Sequence, residues 1–383
     1  MGETTKGSGY RPIRALSSEV ARKIAAGEVI DRPAAVVREL LDNAIDSGAT
    51  RVALEITGGG IDSIRVLDNG SGMTADDLSI CTKTHTTSKI TVEDDLLTLS
   101  TLGFRGEALS SIQAVSRLEI TTTRDGREAW KLESGSVTPA RLSAGTIVQV
   151  SSLFANFPAR RQFLKRPAAE SALCRQIFVE KALAWPAVEF RLSVDGVQKM
   201  ILPAVPTLLE RCLGALTPAE NESFFHEIAG AGTGFTFAAV LGNPDVVRSD
   251  RRDLMVFVNG RRIMEYGLLQ AMEYGAEGHF PNGAHPVGCL FVTIDPALVD
   301  FNIHPAKREA RFRDAASLHH AVSSTVREFF RRWTVASLAR EAASGDGNVN
   351  ELPLSGAENY RESVYARNSG NTGASFRPRA DLR

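Results

Sequence analysis

Three polar strings, each set against apolar sequence, constrain this chain more than anything else in it. They are Arg38-Glu39-Leu40-Leu41-Asp42-Asn43-Ala44-Ile45-Asp46, then Asp68-Asn69-Gly70-Ser71-Gly72, then Gly103-Phe104-Arg105-Gly106-Glu107-Ala108-Leu109. Around the first, Val36, Val37, Leu40, Leu41, Ala44 and Ile45 recur at helical spacing, which predicts an amphipathic helix. Pro33 suits its first turn, where an N–H would go unpaired anyway, and Gly48 suits a left-handed stop. Glu39, Asn43 and Asp46 then line a second face. Alone, that face reads as an ordinary solvated one. But Asn is a poor helix former. An amide beside two carboxylates suits Mg²⁺, which takes oxygen ligands and keeps some waters. Glu39, one turn from Asn43, is placed to polarise a water as general base.

The second string ends a predicted hairpin. Val52, Leu54 and Ile56 alternate, Gly58-Gly59-Gly60 turns, and Ile64, Val66 and Leu67 return. Asp68 is thereby fixed at a strand end, where a carboxylate can accept from an exocyclic amine, and the glycines after it let a ligand approach backbone. The third string reads as a Gly-rich loop opening a helix, whose free N–H groups and positive dipole end favour an anion. No GxxxxGK[ST] pattern occurs, so this is not a Walker A loop. Taken singly, the turn and the loop are weak signals. In this order, with the acidic helix, they point to a nucleotide and an activated water.

The three strings resemble the ordered nucleotide motifs of the GHKL ATPase superfamily (gyrase B, Hsp90, histidine kinases, MutL). The third of them, Gly103 to Leu109, and four further strings are similar to the signatures of the DNA mismatch repair MutL family: Ile24 to Pro33, Thr86-Thr87-Ser88-Lys89, Pro158-Ala159-Arg160-Arg161 and Asn302-Ile303-His304-Pro305-Ala306-Lys307. The resemblance runs from about residue 12 to about 333 and implies an α+β fold: a GHKL (Bergerat-type) ATP-binding α/β sandwich, then a smaller ribosomal-S5-domain-2-like α/β domain. It implies ATP and Mg²⁺ as cofactors. Glu39 is then the general base, and Asn43 ligates Mg²⁺. Asp68 takes the adenine amine, with Gly72, Thr87 and Thr146 around the base. Gly103, Phe104, Arg105, Gly106, Ala108 and Leu109 form the lid and phosphate loop. Lys307 reaches the γ-phosphate from the second domain. His85 and His304 are expected to position rather than catalyse.

The expected organisation is a flexible N-terminus at 1–11, an ATPase domain at 12–204 and an S5-like transducer at 205–335. The transducer would end in a helix from about Ala315 to Trp333. Residues 336–383 read as disordered linker toward an absent C-terminal dimerisation domain, since the tail from Ser344 is rich in Gly, Ser and Asn. By family resemblance this is a slow ATPase whose ATP state dimerises the chain. The state signals between the mismatch-recognition protein MutS and a downstream nuclease and helicase. Another GHKL ATPase, topoisomerase B-like or Hsp90-like, is the alternative. The DQHAxxE string of nuclease-bearing relatives is absent, so nuclease action is not expected of this chain.

Composition enters mainly by exclusion. Cys81, Cys174, Cys212 and Cys289 are scattered without a CxxC, which argues against a zinc site and a disulfide framework. No apolar run approaches the ~18 residues of a membrane span, and Met1 to Arg11 shows no signal peptide, so a cytoplasmic location is expected, of bacterial type by what the resemblance implies. The net charge of −1 gives no global pull toward nucleic acid. DNA contact must come from local clusters, and Arg160, Arg161, Arg261 and Arg262 are the candidates. Each is, by itself, better explained as a solvated surface. Together they suggest non-specific phosphate binding to single- or double-stranded DNA.

Overall fold

The computed structural model of the protein describes residues 15, 24–27, 29–84, 86–87, 101–103, 106–216, 222–301 and 309–343. The predicted site residues Phe104, Arg105 and Lys307 lie outside them. The chain divides into two compact units: Met1–Glu220 with Val256–Glu265 and Phe291–Arg313, and Asn221–Met255 with Tyr266–Leu290 and Asp314–Arg383.

In the first unit, eight strands form one sheet: β1 (Arg51–Thr57), β2 (Ser63–Asp68), β3 (Arg117–Thr123), β4 (Ala129–Glu133), β5 (Ser136–Ala140), β6 (Thr146–Ser151), β7 (Glu189–Val194) and β8 (Val197–Leu202). Their order is β5-β4-β3-β6-β2-β1-β7-β8, with β1 and β7 parallel and their other neighbours antiparallel. The register puts Leu54 opposite Val66 and Leu192, Ile64 opposite Val150, and Leu118 opposite Val150. Because directly paired residues point to one side, these form a single apolar face, and each is at most 4% exposed. The opposite face carries charge. Arg65 pairs with Glu55 at 2.9 Å, and Lys131 with Glu119 at 2.8 Å and Glu133 at 2.7 Å. This alternation leaves one side for helices and one for water.

Helices of the first unit with both ends among the described residues include α1 (Pro33–Asp46), α2 (Ala75–Ile80), α3 (Ala108–Val115), α4 (Pro158–Gln162), α5 (Pro167–Ala184) and α6 (Leu208–Leu216). Helix α1 packs on β2 and α5, and α3 on β3. Helix α1 buries Val36, Val37, Leu40, Leu41 and Ile45, each worth roughly 1.5–3 kcal/mol of transfer free energy. It starts at Pro33, and Gly48 follows it at φ 75°. Arg211 of α6 is 1% exposed, and its guanidinium donates to the carbonyls of Pro186 (2.7 Å), Val188 (2.7 Å) and Pro203 (2.8 Å). It staples the end of this sheet with no carboxylate among these acceptors.

A second sheet has the order β13-β12-β15-β10-β9. Its strands are β9 (Phe225–Gly232), β10 (Phe235–Gly242), β12 (Leu254–Val258), β13 (Arg261–Ile263) and β15 (Gly288–Ile294), with a short separate pair β11 (Val247–Arg248) and β14 (His285–Pro286). In the second unit, α7 (Tyr266–Gly275) packs on α8 (Ala315–Ala343), which also covers β9. Leu318, Val322, Val326 and Phe330 recur every fourth residue of α8 and are fully buried, an apolar stripe at helical spacing. Helix α8 runs ten residues beyond the expected Trp333, into the segment read as linker. Val335-Ala336-Ser337-Leu338-Ala339-Arg340 is mostly good helix former and sustains it without much burial. No helix among the described residues is long and apolar enough to cross a membrane.

Candidate nucleotide site

The last turn of α1 is where the three strings meet. The Asp46 carboxylate accepts the backbone N–H groups of Leu102 and Gly103, each at 2.9 Å. The next residue, Ser47, accepts the Ser71 N–H at its carbonyl, 2.9 Å. Gly70 comes so close that a Cβ there would lie 1.8 Å from Ser47 Oγ. Both the acidic turn and the start of the Gly-rich loop are therefore held to the end of the helix that carries Glu39 and Asn43. Those two side chains are half-buried.

Asp68 closes the apolar face of the sheet. It lies in register with Thr146 of β6, and Thr146 in register with Thr122 of β3, so a row of polar side chains ends a face otherwise of Leu, Ile and Val. Thr122 is fully buried. Its Oγ1 lies 2.9 Å from Thr146 Oγ1 and accepts the Met73 N–H at 2.9 Å. Burial pushes the Asp68 carboxyl up to about 6, against the pull of hydrogen bonds from the Gly70 N–H, the Thr146 backbone and Ser47. A half-dry carboxylate with fixed orientation is a good acceptor for a ligand amine, because an incoming donor relieves part of its desolvation. Gly72 follows at φ 62°, and a Cβ there would stand 1.9 Å from the Thr123 carbonyl oxygen. Only glycine fits that approach.

Gly106 has φ 63°, and a Cβ on it would lie 2.7 Å from the Thr86 carbonyl oxygen. The Thr86-Thr87 pair is thus adjacent to the Gly-rich loop. Thr86 Oγ1 donates to Ile80 O (3.0 Å) and Lys83 O (2.7 Å), while Thr87 is exposed. Ala108 and Leu109 open α3, with the Ser111 N–H on the Glu107 carbonyl at 2.9 Å. Among the described residues no group of three or more His, Cys, Asp or Glu is arranged to hold a metal. Asn43 as a single oxygen donor fits an ion that keeps its waters and takes phosphate oxygens, as Mg²⁺ does.

The basic candidates separate. Arg160 and Arg161 lie on α4. Arg161, Phe163, Lys165 and Arg166 are exposed, Phe163 by 85%. Arg261 corrects the sequence reading: it is 6% exposed and donates to Thr101 O at 2.6 Å, so it is not available to a phosphate backbone. Arg262 is half-buried and donates to the carbonyls of Val256 and Ile263 on its own hairpin, which makes it a poor phosphate ligand. Sequence reasoning missed Thr122, whose only signal was a run of three threonines, Thr121 to Thr123, ending an apolar strand. It also missed the buried ion pair of Asp42 with Lys181, 6% and 8% exposed.

Residues 31–138 match the family described as histidine kinase-, DNA gyrase B- and HSP90-like ATPase, and residues 215–331 the family described as DNA mismatch repair protein, C-terminal domain. The fold also matches the Aquifex aeolicus MutL ATPase domain complexed with ADP, at TM-score 0.53 and 26% identity over 70% of this chain and 94% of that one. The protein class is therefore an α+β GHKL ATPase. Among relatives, the DNA mismatch repair protein MutL of Treponema pallidum is 50% identical over 86% of this chain and 56% of its own length. That of Bradyrhizobium diazoefficiens is 39% identical over 90% and 57%. The chain belongs to the MutL family of DNA mismatch repair proteins, as its N-terminal ATPase region, and spans about half the length of these relatives.

Proposed function

We propose that this chain binds ATP with Mg²⁺ and hydrolyses it slowly to ADP and phosphate, and that the ATP state is a conformational signal in mismatch repair. The observation that carries this reading is the joint attachment of the acidic turn and the Gly-rich loop to the last turn of α1. That geometry supports a reading in which a base-binding carboxylate, an anion-binding loop and a carboxylate for water surround one helix. Asp68 accepts the adenine amine, with Gly72, Thr146 and Thr87 bordering the ring. Gly103, Phe104, Arg105, Gly106, Ala108 and Leu109 surround the phosphates. Asn43 offers its amide oxygen to Mg²⁺, which when bound neutralises phosphate charge. Glu39 takes the proton of the attacking water, and Lys307 contacts the γ-phosphate.

In this reading nucleotide binding favours a dimer of the N-terminal region. The signal passes between MutS and a downstream nuclease and helicase, in the bacterial cytoplasm beside chromosomal DNA. Free thiols at all four cysteines agree with a reducing compartment. DNA is held through phosphates by Arg160 and Arg161, with Lys165 and Arg166 beside them, and with no sequence preference. Nuclease action is not part of this proposal. Sedimentation tests the switch: a monomer without nucleotide and a dimer with a non-hydrolysable ATP analogue are expected. An association state blind to nucleotide would refute it.

A further inference from the structure

The hairpin formed by β12 and β13 aims one arginine inward. Its turn is Asn259-Gly260, with φ 47° and 75°, the left-handed pair that closes a tight two-residue hairpin. The turn is pinned on both sides. Asn259 donates from Nδ2 to Ile294 O at 2.9 Å, accepts the Ile294 N–H at 2.9 Å, and gives its own N–H to Val292 O at 2.9 Å. A Cβ on Gly260 would lie 2.8 Å from the Trp185 ring, so the turn rests on that indole with no room for a side chain. The residue that follows is Arg261, within the first compact unit.

Arg261 meets three features of that unit. Its guanidinium donates to Thr101 O at 2.6 Å and to Leu102 O at 3.3 Å. It stacks over the Phe301 ring, 4.5 Å from the centroid. Burial lowers its basicity, and the negative charges of Asp42, Asp46 and Glu39 oppose that loss. Leu102 is consequently gripped twice: its N–H by Asp46 and its carbonyl by Arg261. Thr101 and Leu102 are the residues that open into Gly103, the first of the Gly-rich loop. Both bonds leave one nitrogen, Nη2, while the guanidinium lies over the aromatic face; a lysine ammonium is a compact, strongly hydrated point charge without that flat stacking surface.

We propose that Arg261 is a positioning residue for nucleotide hydrolysis, fastening Thr101 and Leu102 so that the Gly-rich loop starts from a fixed point relative to the helix carrying Glu39 and Asn43. In this assignment it acts through Thr101 and Leu102. The proposal rests on the ATPase reading for its effect on turnover, but the fastening itself is independent of it.

The test uses the full chain with Arg261→Lys and Arg261→Met, amide hydrogen exchange and steady-state kinetics. Hydrogen bonds to a charged donor of this kind are worth enough to change exchange by on the order of tenfold. Arg261→Lys is expected to raise exchange at Leu102 and Gly103 by about that factor, without nucleotide present, while its melting temperature stays near the parent's. Its kcat is expected to fall by roughly tenfold with ADP affinity within about twofold, because the adenine-side groups Asp68, Thr122 and Thr146 are untouched. Arg261→Met is expected to exceed Arg261→Lys in both effects. Should it fail to fold, Arg261→Lys alone decides. Parent-like exchange at Leu102 and Gly103, or a loss of ADP affinity matching the loss of kcat, would overturn the assignment. If the parent chain neither binds nor hydrolyses ATP, the ATPase reading fails, and exchange at Leu102 and Gly103 still settles whether Arg261 fastens the segment.

Discussion

Asp46 and Gly103 are joined across 57 residues of chain: one carboxylate oxygen of Asp46 accepts the Gly103 N–H at 2.9 Å, and its other oxygen accepts the Leu102 N–H at the same distance. Asp46 is the third member of the polar face that carries Glu39 and Asn43. Its carboxylate holds the start of the Gly-rich loop to the end of that helix.

Removing one of these acceptors should therefore be felt at the loop. Asp46→Asn keeps one oxygen and turns the other acceptor into a donor facing an N–H. The expected outcome is loss of the charge-assisted bonds, worth about 1.5–3 kcal/mol each at most, seen as faster exchange at Leu102 and Gly103 and weaker ATP binding. Parent-like exchange at Leu102 and Gly103 together with parent-like ATP affinity in a calorimetric titration would show that the loop does not depend on this attachment.

Asp68 gives a pH dependence with a defined sign. Its folded value, about 6, lies above the ordinary carboxylate value of 3.8, so between those pH values the folded state binds more protons than the unfolded one. Stability from this group is then present below about 4 and is lost as pH rises through about 6. In the proposed reading adenine binding runs the other way, since it would need the ionised carboxylate, and affinity should fall as pH drops through the same window. Asp68→Asn should flatten the stability profile between about pH 4 and 6 and weaken nucleotide binding at about pH 7. Retention of the parent's pH profile in that variant would assign the effect to another group.

Thr122 is a buried donor and acceptor at once, so its hydroxyl is testable by shape-conserving change. Thr122→Val leaves the Met73 N–H and the Thr146 hydroxyl without their partner, at a cost of about 1–3 kcal/mol. Thr122→Ser should recover most of it. Equal melting temperatures for the two variants would mean that packing, not the hydroxyl, matters there.

The α4 cluster should bind phosphates without reading bases. Arg161→Glu with Lys165→Glu is expected to weaken binding to all DNA sequences alike. The slope of log affinity against log salt should drop by ~0.7–0.9 for each phosphate that is no longer neutralised. A sequence preference, or affinity indifferent to salt, would contradict binding through phosphates alone.

Much of this was legible before the structure. The apolar spacing of Val36 to Ile45 and the alternation of Val52 to Leu67 are local signals, and α1, β1 and β2 follow them closely. Asp68 at a strand end was legible for the same reason. Arg261 was not: an Arg-Arg pair after Asn-Gly reads as a solvated turn, and only the pinning of that turn by Asn259 and Trp185 turns one of the two inward. Thr122 was equally hidden, because its partners come from β6 and from the turn after β2, neighbours that register sets and local sequence does not. The extension of α8 to Ala343 reflects propensity continuing after burial has stopped.

The ATPase reading depends above all on Glu39 acting as general base, and single-turnover hydrolysis by Glu39→Ala tests that role. The variant is expected to bind ATP with nearly the parent's affinity and to lose turnover by ~10²–10⁴-fold, the usual worth of a positioned base. Hydrolysis at the parent's rate would contradict general-base action by Glu39.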